Sequence, residues 1–571
     1  MKKKKLTAVL LSLFLIVNIA YSQVNIEISQ QLDEYFNNRK EVYFDFQIDH
    51  FNQIEILSKI ISIDNINDQN RITAYANREE FEKFLSFGLD YNMLKHPSFL
   101  IEDPVMLDKV NIRAIEDWDF YPTYEAYVDM MYQFASDYPD LCQVFSIGNT
   151  YEEHELLMAK ISDNVGISEN EPQFLYTSTM HGDETAGYVL MLRLIDYLLD
   201  NYDNNPRIAN MVNEIEIWIN PLANPDGTYA SGNNTVYGAT RYNAHGVDLN
   251  RNYPDPEDGP HPDGNEWQIE TLAFMDLAEN NHFVMSCNIH GGAEVANYPW
   301  DTWPQLAADN DWWVYVCREY ADTAQANSPP GYFTDLNYGI TNGYAWYTIA
   351  GGRQDNMTYF YQGREFTLEI SHTKLLPANQ LPDFWNYNYR SFLNYMEQVL
   401  FGIRGIVTDS NTSEPLNAEI YILDHEEDSS WVYTSLPIGN YNRVIYEGAY
   451  DVRYSAPGYI SKIIEDVIAD NKSTTVLDVE LVYQFSNIGE PEPIQIRIFP
   501  NPVTSNYFKI KAEDGVKEVQ IYNLSGALVY MNQFPGDPRA YIDVSTLSAG
   551  SYILHVKTGN KLSTQKIEII R

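Results

Sequence analysis

The sequence predicts an α/β domain at the centre of the chain, preceded by a small α+β leader and followed by two small β-modules. Three observations lead there. At 571 residues the chain exceeds what one compact domain holds. Between residues 117 and 401, strand-like runs (Gln173 to Ser178, Glu214 to Asn220, Phe283 to Ile289) alternate with helical ones (Thr185 to Leu199, Asn265 to Ala278). Such alternation is what helices packed on a sheet require. From Gly402 onward the texture changes to short alternating strands and turns. A hydrophobic share of 44% and an aromatic share of 14% supply a core for each unit.

Taken in order, the chain opens with a basic run, Lys2 to Lys5, then an apolar run, Val9 to Ile19, then the small-residue site Ala20-Tyr21-Ser22. Residues 1–22 therefore read as a signal peptide, too short and too soon followed by polar chain to anchor in a membrane. No later run is long and apolar enough to span a bilayer, so the expected location is secreted or cell-surface. Residues 23–116 form the α+β leader: Val42 to Ile48 alternates like a strand, and Arg78 to Phe87 reads as a helix stopped at Gly88. In an exported hydrolase such a leader is either an inhibitory propeptide or an accessory domain. The central domain, 117–401, opens near Trp118 with Thr123 as a helix N-cap and closes with a helix from Trp385 to Phe401. In residues 402–483, Tyr450, Val452 and Tyr454 alternate before a Pro457-Gly458 turn, which predicts a β-sandwich. Residues 484–495 hold the stiff Gly-Glu-Pro-Glu-Pro linker, and 496–571 form the second β-module.

Charge narrows the function. With 37 basic against 80 acidic residues the net charge is −43, which excludes a nucleic-acid binder because nothing would neutralise a phosphate backbone. The acidity fits either solubility or attraction of cationic substrates. The 3 cysteines, Cys142, Cys287 and Cys317, allow at most one disulfide. Cys287, three residues before His290, is conceivable as a metal ligand, and a buried strand cysteine is the plainer reading.

The candidate chemistry begins where the strand Gln173 to Ser178 runs into His181-Gly182-Asp183-Glu184. A His-x-x-Glu pair arises by chance about once in a chain of this size. Its place at the C-terminal end of a strand, where open α/β sheets put their sites, raises its weight. His290 ends another apolar strand. Alone it reads rather as a hydrogen-bonded histidine near a core edge. With His181 and Glu184 it makes the two-histidine, one-carboxylate set of hydrolytic zinc sites.

Five motifs then follow in order: HGDE (181–184), NPDG (224–227), DLNRNYPD (248–255), NIHGG…VANYPWD (288–301) and GITNGYAWYTIAGGRQD…FTLEIS (339–371). On these the segment from about Trp118 to Phe401 resembles the M14 zinc carboxypeptidases, especially the regulatory subfamily that includes carboxypeptidases D, E, M and N. The resemblance implies a three-layer α/β/α domain with a mixed twisted sheet that cleaves the last peptide bond of peptides and proteins. It implies one Zn²⁺ held by His181, Glu184 and His290, with Asp248 orienting a ligand histidine. Glu369 matches the general base and acid, acting on a water whose acidity zinc raises. Arg241 matches the arginine that stabilises the developing oxyanion. Asn250 and Arg251 match the pair that grips the terminal carboxylate, a contact suited to a planar guanidinium. Tyr347 matches the mobile tyrosine that closes over substrate.

Asp301 and Gln354 fall on the two positions that sort relatives by side chain, and the subfamily that removes lysine or arginine has the same pair. A buried carboxylate there would pair with a cationic side chain and be left unpaired by an apolar one. Asp301 could also be a plain turn residue after Pro299-Trp300. The chain departs from its relatives at Glu153-His154-Glu155, where Gly-Arg-Glu is usual. The flanking modules resemble known units too: 402–483 the transthyretin-like sandwich of the regulatory subfamily, and 496–571 the sorting domain of type IX secretion. The latter implies the type IX machinery as a partner and passage across an outer membrane. Two rival functions stay in view: trimming of bacterial cell-wall peptides on the same fold, and a surface-binding protein with a dead catalytic domain.

Overall fold

The computed structural model describes residues 30–484 and 496–570, apart from positions 38, 51, 68, 110, 111, 513, 525 and 560. The signal-peptide reading and nearly all of the linker reading lie outside the described residues. No helix among the described residues is long and apolar enough to cross a membrane.

The leader forms a four-stranded antiparallel sheet in the order β2-β3-β1-β4, from β1 (Val42–Gln47), β2 (Ser62–Ile66), β3 (Arg71–Ala76) and β4 (Tyr91–Met93). Helices α1 (Gln53–Leu57) and α2 (Arg78–Leu85) accompany it. Asn77 and Glu80 exchange side-chain and backbone hydrogen bonds in a capping box, which fixes where α2 starts. The alternation seen in Val42–Gln47 puts Val42, Phe44 and Phe46 inside, against Phe81 and Phe84 of α2. A short parallel pair follows, β5 (Met106–Leu107) with β6 (Tyr121–Pro122), so the chain leaving the leader is already stitched to the central domain before that domain's first helix.

That helix, α3 (Tyr124–Asp137), begins at Thr123, whose hydroxyl accepts from Ala126 N at 3.2 Å, where the sequence places the cap. The central sheet has eight strands in the order β13-β12-β14-β11-β9-β10-β8-β7. Its strands are β7 (Cys142–Asn149), β8 (Glu155–Ile161), β9 (Gln173–Ser178), β10 (Glu216–Asn220), β11 (Phe283–His290), β12 (Glu294–Tyr298), β13 (Ile340–Asn342) and β14 (Arg364–Ile370). β10, β9, β11 and β14 run parallel, while β7, β8 and β12 introduce antiparallel pairs, so the sheet is mixed. Alternate residues face two cores: Phe174 and Tyr176 lie with α4 (Ala186–Asn201) and α9 (Leu381–Glu397), whereas Leu175, Met158 and Trp218 lie with α6 (Ile269–Asn280) and α8 (Arg353–Tyr361). Helices α5 (Pro206–Glu214) and α7 (Asn310–Ala326) also belong to this domain. Helices on both faces make three layers.

Helix ends shift from the sequence reading. α6 starts at Ile269 instead of Asn265 because Asp263 accepts from Asn265, and Asn252 Oδ1 takes Gln268 N at 2.7 Å. α9 starts at Leu381 with a proline in its first turn, where the missing N–H costs nothing, and a 3₁₀ turn from Gln398 to Leu400 follows it. Cys142 on β7, Cys287 on β11 and Cys317 on α7 are all free and buried.

Beyond the central domain two sheets face each other: Gly402–Asp409, Asn440–Arg443, Val479–Tyr483, Tyr459–Ile460 and Thr474–Val476 against Glu419–Ile422, Val432–Tyr433, Gly448–Ser455 and Lys462–Ala469. Val407, Ile420, Ile422, Val452, Tyr454 and Leu481 fill the space between. A second β-unit follows from Ile496, with its own core around Phe508, Ile510, Val519, Ile521, Leu554 and Val556.

The first β-unit is joined to the central domain by a buried charge cluster. Asp309, just before α7, accepts from Arg364 at 2.8 Å, Arg443 at 2.8 Å and His425 at 2.9 Å. Although burial opposes it, Arg443 and Arg364 hold the Asp309 carboxyl far below the usual range. Asp309→Ala would leave two arginines buried without that partner, so a stability loss of about 3–5 kcal/mol is expected, read as a lower urea midpoint. The exposed Lys59–Asp258 pair serves as the control, and Lys59→Ala should cost under ~1 kcal/mol. Because the Asp309 pKa is depressed, its contribution is present above an ordinary aspartate pKa of about 4 and is lost as the pH falls below it.

Candidate functional site

The site grows from the C-terminal ends of β9 and β11, at the centre of the sheet. After Ser178 the chain turns through Thr179 at φ 60°, a conformation that a β-branched residue holds only when its surroundings compel it. Its hydroxyl donates to Glu184 O at 3.0 Å, which folds His181 and Glu184 toward the same side. Gly182 permits that fold. A Cβ there would lie 2.3 Å from the Gly227 carbonyl carbon and 2.4 Å from Thr228 N, so the NPDG turn could not pack against it. His290, the last residue of β11, stands in register with Glu369 on β14.

The three ligating side chains meet. His181 Nδ1 lies 3.0 Å from Glu184 Oε1, His290 Nδ1 lies 2.8 Å from Glu184 Oε2, and the two ring nitrogens are 3.0 Å apart. One donor atom from each falls within 4.8 Å of the others, and all three residues are buried. Burial, acting against the pull of Glu184, lowers the His290 pKa to about 4, so its imidazole is neutral as ligation requires. The outer nitrogens are occupied: His181 Nε2 is 3.0 Å from Asp248 Oδ1, and His290 Nε2 is 2.8 Å from the Asn288 amide. With their outer edges fixed, both rings present the inner nitrogen to a common point, which is the chemistry of a metal site and not of two core histidines. The residues fit zinc.

Around this set lie the other residues singled out from the sequence. Arg241 reaches Asp248 Oδ2 through Nε at 3.0 Å and Glu184 Oε1 through Nη1 at 3.4 Å. Asp248 Oδ1 also accepts Asn250 N at 2.9 Å, which sets the 3₁₀ turn Leu249–Arg251. Arg251 Nη1 donates to Asn250 O at 2.8 Å, while its Nε and Nη2 are buried without a partner. Asn250 Oδ1 accepts Arg353 N at 2.9 Å. Asp301 Oδ1 accepts from Gln354 Nε2 at 3.1 Å and from Asn297 Nδ2 at 3.0 Å, and Gln354 is itself fixed by Thr367 N at 2.7 Å. Burial above all raises the Asp301 carboxyl, to about 7. Glu369 has Oε2 without a partner, and burial followed by repulsion from Glu184 pushes its pKa well above the usual value. Tyr347 donates to Ile63 O of the leader at 3.3 Å.

All of these except Asp248 and Gln354 line one cavity, of only about 30 Å³, which the leader residues Ile63 and Asp64 help to close. Among the cavity residues to which the sequence assigned no role are Asn297, Lys374 and Asp64. Asn297 has Oδ1 buried and unpartnered. Lys374 Nζ is 2.7 Å from Glu184 Oε1 and 2.8 Å from Asp64 Oδ1. Lys374 lies three residues past the last motif in a polar stretch, and Asp64 is remote in sequence, so neither carried a signal. Cys287 has its side chain in the core, away from this cavity. The departure at Glu153-His154-Glu155 puts His154 Nδ1 2.7 Å from Asp226 of the NPDG turn, outside the cavity.

Comparison with known proteins agrees with this geometry. Residues 127–391 match the zinc carboxypeptidase family, and residues 497–570 match a secretion system C-terminal sorting domain. Carboxypeptidase D of Anas platyrhynchos is 32% identical over 447 residues, 74% of this chain and 31% of that protein, so the chain spans about a third of its length. The catalytic chain of human carboxypeptidase N is 34% identical over 391 residues, 62% of this chain and 84% of that one. Among solved structures, carboxypeptidase A from Helicoverpa armigera superposes with a TM-score of 0.50 at 15% identity, covering 62% of this chain and 96% of that one, a likeness of fold.

Metal analysis of purified chain should find one zinc ion per molecule. His290→Ala or Glu184→Gln should lower zinc content to background after dialysis, whereas His425→Ala, on the Asp309 cluster, should leave it unchanged.

Proposed function

The chain belongs to the zinc carboxypeptidase family, and from that premise we propose that it is an exported metallopeptidase removing single C-terminal residues, lysine or arginine by preference, from peptides and proteins. The observation that carries this reading is one cavity holding the metal triad, two unpaired guanidinium donors of Arg251 and a buried acceptor pair, Asp301 and Asn297. A peptide ending in a basic residue complements each of these groups. Its terminal carboxylate pairs with Arg251, steadied by the neighbouring Asn250. Its side-chain cation meets Asp301, which Gln354 holds in place.

Zinc in the triad supplies Lewis acidity at the scissile carbonyl. The remaining work falls to side chains. Glu369, whose Oε2 faces the cavity without a partner, takes the proton of the attacking water and passes it to the departing amine. Arg241, held in place by Asp248, offers its charge to the developing oxyanion. Asp248 also keeps the His181 ring in orientation. Tyr347 closes over bound substrate and keeps water away from its ends. The family match at 497–570 supports handling by a secretion system that reads C-terminal domains; the finer reading is type IX export to the cell surface or medium.

Hydrolysis of blocked dipeptides ending in arginine and phenylalanine tests the reading. Arginine should be released in preference, and Glu369→Gln should lower kcat by about 10²–10⁴-fold. Asp301→Asn should cost the arginine substrate about 100-fold in kcat/KM and leave phenylalanine nearly unchanged. A cation needs the ionised carboxylate. Because the Asp301 pKa is raised to about 7, kcat/KM for arginine relative to phenylalanine should rise with pH up to about 7 and level off above it. Preference for phenylalanine would remove the basic-pocket argument while keeping the peptidase.

A further inference from the structure

One turn holds the chain on both sides of His181. Asn224 Nδ2 donates to Met180 O at 3.1 Å, and Thr228 Oγ1 donates to Gly182 O at 2.9 Å. The same turn accepts Thr240 N on Gly227 O at 2.8 Å, and Gly182 N donates to Arg241 O at 3.2 Å. His181 and Arg241 therefore take their positions from residues 224–228. In the middle of this turn Asp226 is buried, outside the cavity. Its Oδ1 accepts the Thr150 hydroxyl and lies 2.7 Å from His154 Nδ1, and its Oδ2 accepts Glu152 N at 3.1 Å. His154 has a second acceptor, because its Nε2 lies 3.0 Å from Asn233 Oδ1. That amide is oriented by Glu125, whose carboxylate only accepts and takes Asn233 Nδ2 at 2.9 Å. A neutral imidazole carries one N–H and serves one of these two oxygens. The imidazolium serves both.

The groups around the ring suit that charge. Although burial opposes it, the hydrogen bonds to Asp226 and Asn233 raise the His154 pKa above its ordinary value, and Glu152 adds to the pull. From α3 the Tyr124 ring packs 4.1 Å from the imidazole, and the Tyr229 ring lies 6.4 Å away on the other side of the turn. Glu155, next in the chain, is engaged by the Tyr132 hydroxyl at 3.1 Å. Lys40 of the leader keeps to Glu152, at 3.8 Å.

Resting on the zinc reading of the triad, we infer that His154 is a positioning residue: as an imidazolium it locks the turn 224–228, and so fixes His181 and Arg241, and the lock loosens when the ring loses its proton. The raised pKa gives the direction. The contribution is complete below an ordinary histidine pKa of about 6.5 and is lost as the pH rises through the higher folded value. The metal site is then firmest in mildly acidic surroundings and looser in alkaline ones, through a side chain that touches neither metal nor substrate.

The test follows zinc release to a chelator from the full-length, zinc-loaded chain at about pH 6 and about pH 9, on either side of the histidine range. Three chains are compared: unmodified, His154→Arg and His154→Gln. Arginine keeps its charge at both pH values, and glutamine is neutral at both. The unmodified chain should release zinc as slowly as His154→Arg at the lower pH and about tenfold faster than it at the higher, the scale on which outer partners of a metal site act. His154→Gln should release zinc about tenfold faster than His154→Arg at both. In parallel, the imidazole signal that His154→Gln removes from the NMR spectrum should titrate with a midpoint above about 6.5. A midpoint below that value overturns the inference. So does a ratio of unmodified to His154→Arg release that stays the same at both pH values, or an arginine variant that releases zinc as fast as the glutamine one. If no chain binds zinc, the metal reading fails, and the ring titration still decides whether His154 is the charged partner of Asp226.

Discussion

The carboxylate of Glu184 is the point on which the rest of the site depends. It receives His181 and Lys374 on one oxygen and His290 and the Gly291 N–H on the other, with Arg241 nearby. Although burial favours the protonated form, His181 and Lys374 hold Glu184 well below the usual carboxylate range. A single buried anion thus organises groups from the ends of β9 and β11, the 241–248 segment and the stretch after β14. The sheet makes this meeting possible, because its parallel central strands end side by side and the chain departs to opposite faces from them.

Rigidity around this point comes from hydrogen bonds made outward. Asp248 orients His181 and Arg241 together, Asn288 sits on the outer nitrogen of His290, and Gln354 is tied to backbone before it touches Asp301. Four unpaired buried atoms line the cavity where a ligand would be: Arg251 Nε and Nη2, Asn297 Oδ1 and Glu369 Oε2. Buried polar groups are ordinarily satisfied, so orphaned donors and acceptors lining one cavity describe the ligand by complement.

Much of this was legible in the sequence, for identifiable reasons. Strands β9 and β11 declared themselves because buried parallel strands are continuous apolar runs, and the Thr123 cap because its chemistry is local. One helix was read as starting too early, at Asn265, because a loop held by Asn252 imitates helix composition, and another too late, at Trp385, because the proline after Leu381 hides its first turn. His181, Glu184 and His290 were found through spacing at strand ends. Lys374, Asn297 and Asp64 were not, because their significance lies in what faces them across the fold. Asp64 in particular is 310 residues from Lys374 in the chain, and no pattern within either neighbourhood links them.

The three cysteines have a consequence for how the chain can be made. Each thiol is buried, and burial pushes Cys142 up to about 12 and Cys287 well above its ordinary value, so none is a ready nucleophile for oxidation or exchange. None of the cores is held by a covalent cross-link, and the strands and helices that enclose the thiols do so by packing alone. The native state therefore requires no oxidising step, and reductants added during purification have no bond to break.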